Sequence, residues 1–326
     1  MTAKVLCLRP EQDFLKVGVT PPTDLSIRYG GPDDINLSGA IKNVRALVIP
    51  AVGPKLPSSL FTGNDIELVQ VTGAGVDRLD EAAMRSLRIP VANVPGGSSA
   101  AVAEYTVASV LFLLRRIGWA QYEIHHDRYI ECRTQMISEC VPGLMGLTVG
   151  IIGLGNIGLA VAKAFQGMGS NIVFYDPQPA DPTAAEHLGA CRVTLSELLQ
   201  TADIVTLHVP LIPATEGLIS GAELAQMKST AILINAARGG IVDETALAEA
   251  LASGTLGGAV VDVYSEEPPL KSNPLLQLDK EVAQRVLLTP HIAGVTRQAW
   301  VYLFRAAWEN VLRVLNDGEQ PLNRVY

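Results

Sequence analysis

Short apolar runs closed by proline, glycine or aspartate punctuate the first hundred residues. Residues 5–8, 46–49, 68–71 and 91–93 read as strands, and 80–87 carries a helical pattern between two of them. That alternation predicts a βαβ rhythm and a small parallel sheet. After the break at Pro95-Gly96-Gly97, residues 100–114 form one long run of small and aliphatic side chains and predict a helix. A second, cleaner series follows, with strands over 148–152, 171–175, 203–207, 231–235, 259–263 and 285–288. Helical patterns separate these strands. One covers 196–200, with Ser196 as its N-cap, and another covers 243–252, capped by Asp243 and stopped at Gly254. Six strands with helical crossovers describe a doubly wound sheet. Beyond Gly294, Leu303, Ala307, Val311 and Leu315 recur in steps of four and predict a terminal helix. It comes too late to belong to the second sheet, so it is expected to return to the first domain. The domains are therefore drawn as 1–99 plus 295–326, discontinuous, and 100–294. Residues 125–143 show no clean periodicity.

Composition narrows the class. Hydrophobic residues make up 48% of the chain and aromatics only 5%, so the interior is aliphatic, as in proteins built on buried parallel sheets. The net charge of −8, with no basic tract, argues against nucleic acid and anionic membranes as partners. Cys7, Cys132, Cys140 and Cys191 lack CxxC spacing and read as reduced thiols. No basic-then-apolar leader opens the chain, and no apolar run approaches the ~18–20 residues of a membrane span, so a cytoplasmic protein is expected.

The segment Val149-Gly-Ile-Ile-Gly153-Leu-Gly155-Asn156-Ile157-Gly158 places GxGxxG between a strand and a helix. Gly153 permits the tight turn, Gly155 lets a pyrophosphate approach the backbone, and Gly158 brings the helix against the strand. The helix N-terminus adds amides and a positive dipole end. Asp176 closes the next strand and can accept from both hydroxyls of an adenine ribose. A 2′-phosphate would meet that carboxylate, and Pro177-Gln178 supplies no arginine, so NAD is preferred over NADP.

At this point the residues resemble the D-isomer-specific 2-hydroxyacid dehydrogenase family over nearly the whole chain. The landmarks are Gly73-Ala-Gly-Val-Asp77, Asn93-Val-Pro-Gly96, Ala103-Glu104, the glycine fingerprint and His208-Val-Pro-Leu211, followed by Asn235-Ala-Ala-Arg238-Gly-Gly240, Asp262-Val-Tyr-Ser-Glu-Glu267-Pro268 and Thr289-Pro-His291. The resemblance implies two Rossmann-like or flavodoxin-like α/β domains with parallel sheets and a substrate cleft between them. It implies an NAD-dependent oxidoreductase that moves hydride between nicotinamide and a small D-2-hydroxy or 2-oxo acid, with Arg238, Glu267 and His291 as the catalytic set. Asp262 matches the nicotinamide amide partner. His208, Val209, Pro210, Thr215, Ala236, Ala237 and Gly294 match loops along the cofactor. The amides near Ala74 and Gly75 match the substrate carboxylate site, which Arg238 and His291 complete. A homodimer through the arm 100–142 is also implied.

These roles suit the residue types. Arg238 offers a planar fork for a carboxylate and the neighbouring carbonyl. His291 would be general acid in reduction and general base in the reverse direction, with Glu267 fixing its tautomer and keeping a proton available. Taken singly, an arginine after a strand is ordinarily a surface cation and a glutamate before proline a loop charge; the ordered trio changes that reading.

Two places depart from the family pattern. Pro50-Ala51-Val52-Gly53 stands where many relatives carry Arg-Ser and a threonine, which weakens the case for a phosphorylated substrate and points to glyoxylate, hydroxypyruvate or an apolar-tailed acid. Lys55 is not at the matching position. Arg128-Tyr129-Ile130-Glu131 replaces a common Arg-x-Gly-x-Trp, and residues 125–131 read first as a solvated polar loop, with contact to substrate as the sharper alternative. His125, His126, Cys132 and Cys140 fit no zinc spacing, so no metal is expected; His187 reads as a surface helix residue. The chain stops soon after the terminal helix, so no regulatory C-terminal domain is expected. The competing functions are a formate- or phosphite-type dehydrogenase and a non-catalytic, NAD(H)-sensing protein of the corepressor type. Glu267 tilts against formate, whose enzymes resemble a Gln–His pair at that position.

Overall fold

Short, largely apolar strands form the centre of each sheet, in a computed structural model that describes residues 4–31, 37–178 and 181–326. The chain divides into two units, Met1–Ser98 with Val295–Tyr326, and Ser99–Gly294.

The first unit runs β1 (Lys4–Cys7), α1 (Glu11–Lys16), β2 (Ser26–Tyr29), α2 (Leu37–Ala40), β3 (Ala46–Ile49), β4 (Leu68–Val71), α3 (Glu81–Leu87) and β5 (Val91–Ala92). Its five strands lie parallel in the order β2-β1-β3-β4-β5. Strands β3 and β4 are buried throughout, which is why they read as short apolar runs, broken only at the buried Gln70 of β4. Strand β2 is the exposed edge, and its alternation of polar and half-buried residues escaped the sequence reading.

The second unit runs α4 (Ser99–Leu114), α5 (Ile117–His125), α6 (Tyr129–Ser138), β6 (Thr148–Ile152), α7 (Asn156–Gly167), β7 (Asn171–Tyr175), α8 (Pro182–His187), β8 (Cys191–Arg192), α9 (Leu195–Thr201), β9 (Ile204–Leu207), α10 (Gly221–Leu224), β10 (Ile232–Asn235), α11 (Glu244–Ser253), β11 (Gly258–Val261), α12 (Lys280–Ala283) and β12 (Val286–Leu288). The sheet is parallel, in the order β12-β11-β10-β9-β6-β7-β8, and its strand order reverses between β6 and β9. Seven strands stand where six were expected. The extra one, β8, is two exposed residues long and carries no apolar signal. The terminal helix α13 (Arg297–Leu315) belongs to the first unit.

Two local expectations need correction. Thr194, not Ser196, caps α9: its hydroxyl accepts from Glu197 N at 3.2 Å, while Ser196 donates to Gln226 Oε1 at 2.7 Å. Thr194 has the extended backbone a cap requires, and Ser196 already lies inside the helix. Residues 125–131 are not a loop throughout. They end α5, turn at Asp127 in the left-handed region (φ 58) and begin α6. Only Cys132 of α6 is buried, so no apolar stripe announced that helix. His187 is the exposed last residue of α8.

In the first unit, α13 lays Leu303, Phe304, Ala307, Trp308 and Val311 against the sheet. Phe14 of α1 meets Phe304 and Trp308 at ring-centroid distances of 4.6 and 5.4 Å. Asn310, buried in the same helix, donates to Gln70 Oε1 (2.6 Å) and the Leu322 carbonyl (3.0 Å) and accepts from Leu322 N (2.7 Å). It thereby ties the buried Gln70 of β4 to a C-terminal tail whose Tyr326 carbonyl accepts from Val91 N of β5 at 2.8 Å. Replacing Asn310 by Ala strands these buried polar groups, at about 1–3 kcal/mol for each one left unsatisfied. The expected result for Asn310→Ala is a urea midpoint clearly below wild type at unchanged slope; an unchanged midpoint would show that the tail is held elsewhere.

Candidate active site

The carboxyl edge of the second unit's sheet collects the chemistry. Gly153 follows β6, His208 follows β9, Ala236 to Arg238 follow β10, Asp262 to Glu267 follow β11, and Thr289 to Gly294 follow β12. Ligands of open parallel sheets bind at this edge, beside the point where strand order reverses.

The glycine loop separates into three demands. Gly153 has φ 92, and a Cβ there would lie 2.6 Å from the His208 carbonyl oxygen. A Cβ on Gly158 would lie 2.1 Å from the Gly153 carbonyl oxygen, so helix and strand meet only because both residues lack one. Gly155 is different: a Cβ there would meet no protein atom within 4 Å. Its smallness serves nothing in the protein itself and suits a ligand lying on the backbone. As the N-cap of α7, Gly155 supplies no side-chain acceptor, so the amides of Asn156, Ile157 and Gly158 face no capping side chain. Asp176 is wired to the same loop, with Oδ2 accepting from Leu154 N and Oδ1 from Gln178 N, both at 2.7 Å. These residues fit a dinucleotide.

The structure also brings in an arginine the sequence did not reveal. Arg192 of β8 donates through Nη2 to the carbonyls of Asp176 (2.7 Å) and Pro177 (2.9 Å). Across the switch point, burial lowers the pKa of His208 and keeps its ring neutral, with Nε2 3.0 Å from Thr206 Oγ1. Thr215 closes the following loop by donating to the Pro210 carbonyl at 2.6 Å and accepting from Ile212 N at 2.9 Å.

Arg238, Glu267 and His291 come together. His291 Nδ1 lies 2.8 Å from Glu267 Oε2, with 23% and 27% of the two side chains exposed. Burial raises the Glu267 pKa, but hydrogen bonds from His291 and Tyr264 N (3.0 Å) and the charges of His291 and Arg238 oppose it, and the net direction is downward. A carboxylate lowered in this way stays ionised through neutral pH, and the pair loses its anion only on acidification below the ordinary glutamate range. The loop bearing Glu267 is anchored by Glu244, which accepts from Ser265 N at 2.6 Å and Asn273 Nδ2 at 2.6 Å. The Arg238 turn is clamped by Asn235, whose Nδ2 donates to the Arg238 carbonyl (3.0 Å) and whose Oδ1 accepts from Ala237 N (3.2 Å). Arg238 Nη1 rests on the Ala237 carbonyl at 2.7 Å. A Cβ on Gly239 would lie 1.9 Å from the Tyr264 carbonyl oxygen, so only glycine lets this turn pass so close to the segment after β11.

His291 occupies left-handed backbone space at φ 55, which costs about 1–3 kcal/mol for a residue with a side chain. Asp262, fully buried, holds the turn there. Its Oδ1 accepts from Thr289 Oγ1 (2.5 Å) and Ile292 N (2.8 Å), its Oδ2 from Ala293 N (2.8 Å), and its carbonyl from His291 N (2.7 Å). Hydrogen bonds to a charged group contribute about 1.5–3 kcal/mol each, so the set outweighs the strain. The family resemblance implies only a nicotinamide contact for Asp262; that it also fastens the histidine turn has no signature in the sequence.

The first unit has its own candidate loops. Asn93 Nδ2 donates to the Ala74 carbonyl at 2.7 Å, and a Cβ on Gly73 would lie 2.8 Å from Ala51 Cβ, so Ala74 and Gly75 sit in a loop packed on the one after β3. Arg78, buried beneath, donates to the carbonyls of Pro54 (2.9 Å) and Pro50 (3.0 Å). Among the described residues, no group of three or more His, Cys, Asp or Glu side chains could hold a metal ion.

Comparison with known proteins identifies the family. Residues 107–293 match the family model for the NAD binding domain of D-isomer specific 2-hydroxyacid dehydrogenases. A D-3-phosphoglycerate dehydrogenase of Archaeoglobus fulgidus is 39% identical over 235 residues, covering 72% of this chain and 42% of that protein. The chain thus spans less than half the length of that relative. A glycerate dehydrogenase of Methylorubrum extorquens is 35% identical over 249 residues, covering 76% of this chain and 75% of that one. The holo form of D-mandelate dehydrogenase from Rhodotorula graminis superposes with a TM-score of 0.85 at 25% identity, over 100% of this chain and 98% of that one. The glycine loop, the acid at the end of β7 and the match across 107–293 make this chain a member of the D-isomer specific 2-hydroxyacid dehydrogenase family, carrying its NAD-binding domain.

Proposed function

We propose that the chain catalyses NAD-dependent interconversion of a small D-2-hydroxy acid and its 2-oxo acid. The observation that carries this reading is the His291–Glu267 pair, 2.8 Å apart at the sheet's carboxyl edge, with His291 on the strained turn. Bound NAD supplies or takes up the hydride. Glu267 holds Nδ1 of His291, which leaves Nε2 to give a proton to the carbonyl oxygen in reduction and to remove it from the hydroxyl in oxidation. Arg238, swung off the Ala237 carbonyl, grips the substrate carboxylate and polarises the reacting carbonyl with its planar fork. Asp262, whose carboxylate oxygens retain accepting capacity, takes the nicotinamide amide.

Residues 50–54 of the loop after β3 present the exposed Val52 and no cation, the exposed Lys55 lies further along the loop, and Arg78 beneath is bonded to two loop carbonyls. That favours an uncharged or apolar tail, as in glyoxylate, hydroxypyruvate or a larger relative, over a phosphorylated one. The protein is further assigned as a homodimer through α4 to α6, where Ile117, Tyr122, Ile124, Tyr129, Ile130 and Ile137 are all exposed. Its four free thiols suit a reducing, cytoplasmic setting.

The reading is tested by following NADH absorbance against glyoxylate, hydroxypyruvate, pyruvate, phenylpyruvate, branched-chain 2-oxo acids and 3-phosphohydroxypyruvate. Oxidation of NADH by an unphosphorylated acid is expected, falling ~10²–10⁴-fold in His291→Ala while NADH still binds. Reduction of NAD by formate or phosphite alone, or silence across the panel with NADH bound, would replace this reading by one of its rivals. Asp176→Ala leaves the Arg192 guanidinium beside the ribose loop, so NADP preference over NAD is expected to rise roughly ten- to a hundredfold, the worth of a charge-assisted hydrogen bond. An unchanged ratio places ribose recognition elsewhere. On a sizing column the protein should elute as a dimer and Ile130→Glu as a monomer; a wild-type monomer removes the dimer assignment.

A further inference from the structure

Tyr105 lies on α4, a helix that carries none of the residues assigned to the reaction. Its phenol oxygen is 2.5 Å from Thr289 Oγ1, and Thr289 Oγ1 is 2.5 Å from Asp262 Oδ1. Proton counting fixes the direction of this chain. A threonine hydroxyl has one proton and a carboxylate only accepts, so Thr289 donates to Asp262 and Tyr105 donates to Thr289. Burial raises the Tyr105 pKa and the charge of Asp262 adds to that, so the phenol keeps the proton it must donate.

The chain ends on the group that fixes the histidine turn. Asp262 accepts from the backbone of Ile292 and Ala293 and, through its carbonyl, from His291 N. Tyr264 braces the same turn from the other side, donating through its hydroxyl to the Thr289 carbonyl (3.1 Å) and through its backbone amide to Glu267 Oε1 (3.0 Å). Thr289 is therefore held at its side chain by Tyr105 and at its carbonyl by Tyr264. It stands two residues before a histidine whose backbone would relax out of the left-handed region if released.

We propose that Tyr105 is a positioning residue for His291, acting through Thr289 and the Asp262 carboxylate to hold the acid–base imidazole against Glu267. The inference rests on the assignment of His291 as the acid–base group. Small displacements of a positioned group are costly: ~1 Å can lower turnover ~10²-fold.

The test uses the full-length protein, NADH and whichever 2-oxo acid proves active. Tyr105→Phe keeps the ring and removes the one donor. It is expected to lower kcat about tenfold, a fraction of that ceiling, with the KM for the 2-oxo acid less affected and the pH profile of kcat displaced. In a His291→Ala background the same substitution should cause no further loss, because there is no imidazole left to position. Thr289→Val should repeat the Tyr105→Phe phenotype, and Thr289→Ser, which restores a hydroxyl, should recover most of it. Wild-type kcat and pH profile in Tyr105→Phe would overturn the proposal, as would an equal loss in the presence and absence of His291, the mark of a packing effect. Near-normal turnover in His291→Ala overturns the acid–base reading and this inference together; a crippled His291→Ala beside an unaffected Tyr105→Phe overturns this inference alone.

Discussion

The buried carboxylate of Asp262 is the fixed point on which the candidate chemistry depends. It lies beyond the end of β11 and reaches across to the segment after β12, where it gathers Thr289 Oγ1 and the amides of Ile292 and Ala293. Without those bonds the turn would be free to leave a backbone conformation that a side chain disfavours, and His291 would swing with it. An anion fully removed from water must be surrounded by donors, and here every donor found comes from the loop that carries the histidine or its neighbour. The need to satisfy the acid and the need to hold the His291 turn are met by the same bonds.

Other parts of the site repeat this economy. Glu244 begins α11 and spends its carboxylate on the Ser265 to Asn273 loop, which fixes where Glu267 can be. Asn235, at the end of β10, closes the Arg238 turn with both ends of its amide. Gly239 and Gly158 are required by close approach, 1.9 and 2.1 Å from a would-be Cβ to backbone oxygens, so the loops stack at a separation that larger residues would prevent. Gly155, unlike Gly153 and Gly158 in the same loop, faces open space, and the room it leaves is where a pyrophosphate would lie.

Charge at the periphery modifies the picture in both units. Arg192 reaches the carbonyls of Asp176 and Pro177 from a different strand, so the loop after β7 has a guanidinium beside its carboxylate. Arg78 fills the underside of the loop after β3 and supports its shape while its Nε and Nη1 are bonded to carbonyls. In each case an arginine works as a brace for backbone.

The sequence by itself determined the parallel α/β class, because strands buried on both faces must be largely apolar, as 46–49, 68–71 and 204–207 are apart from Gln70 and Thr206. It also determined the glycine loop with its acid, and the order of Arg238, Glu267 and His291, since these depend on residue type at fixed spacing. The edge strands β2 and β8 and the exposed helix α6 were not legible, for they bury too little to leave a pattern. Only the tertiary structure decided what lies around the trio. Tyr105 and Thr289 are 184 residues apart, Thr289 and Asp262 27, and Arg192 and Asp176 16. A hydrogen bond across such separations has no periodicity to betray it. It exists because adjacent parallel strands deliver Asp176, Asp262 and Thr289 to one edge of a single sheet, against which α4 packs and brings Tyr105.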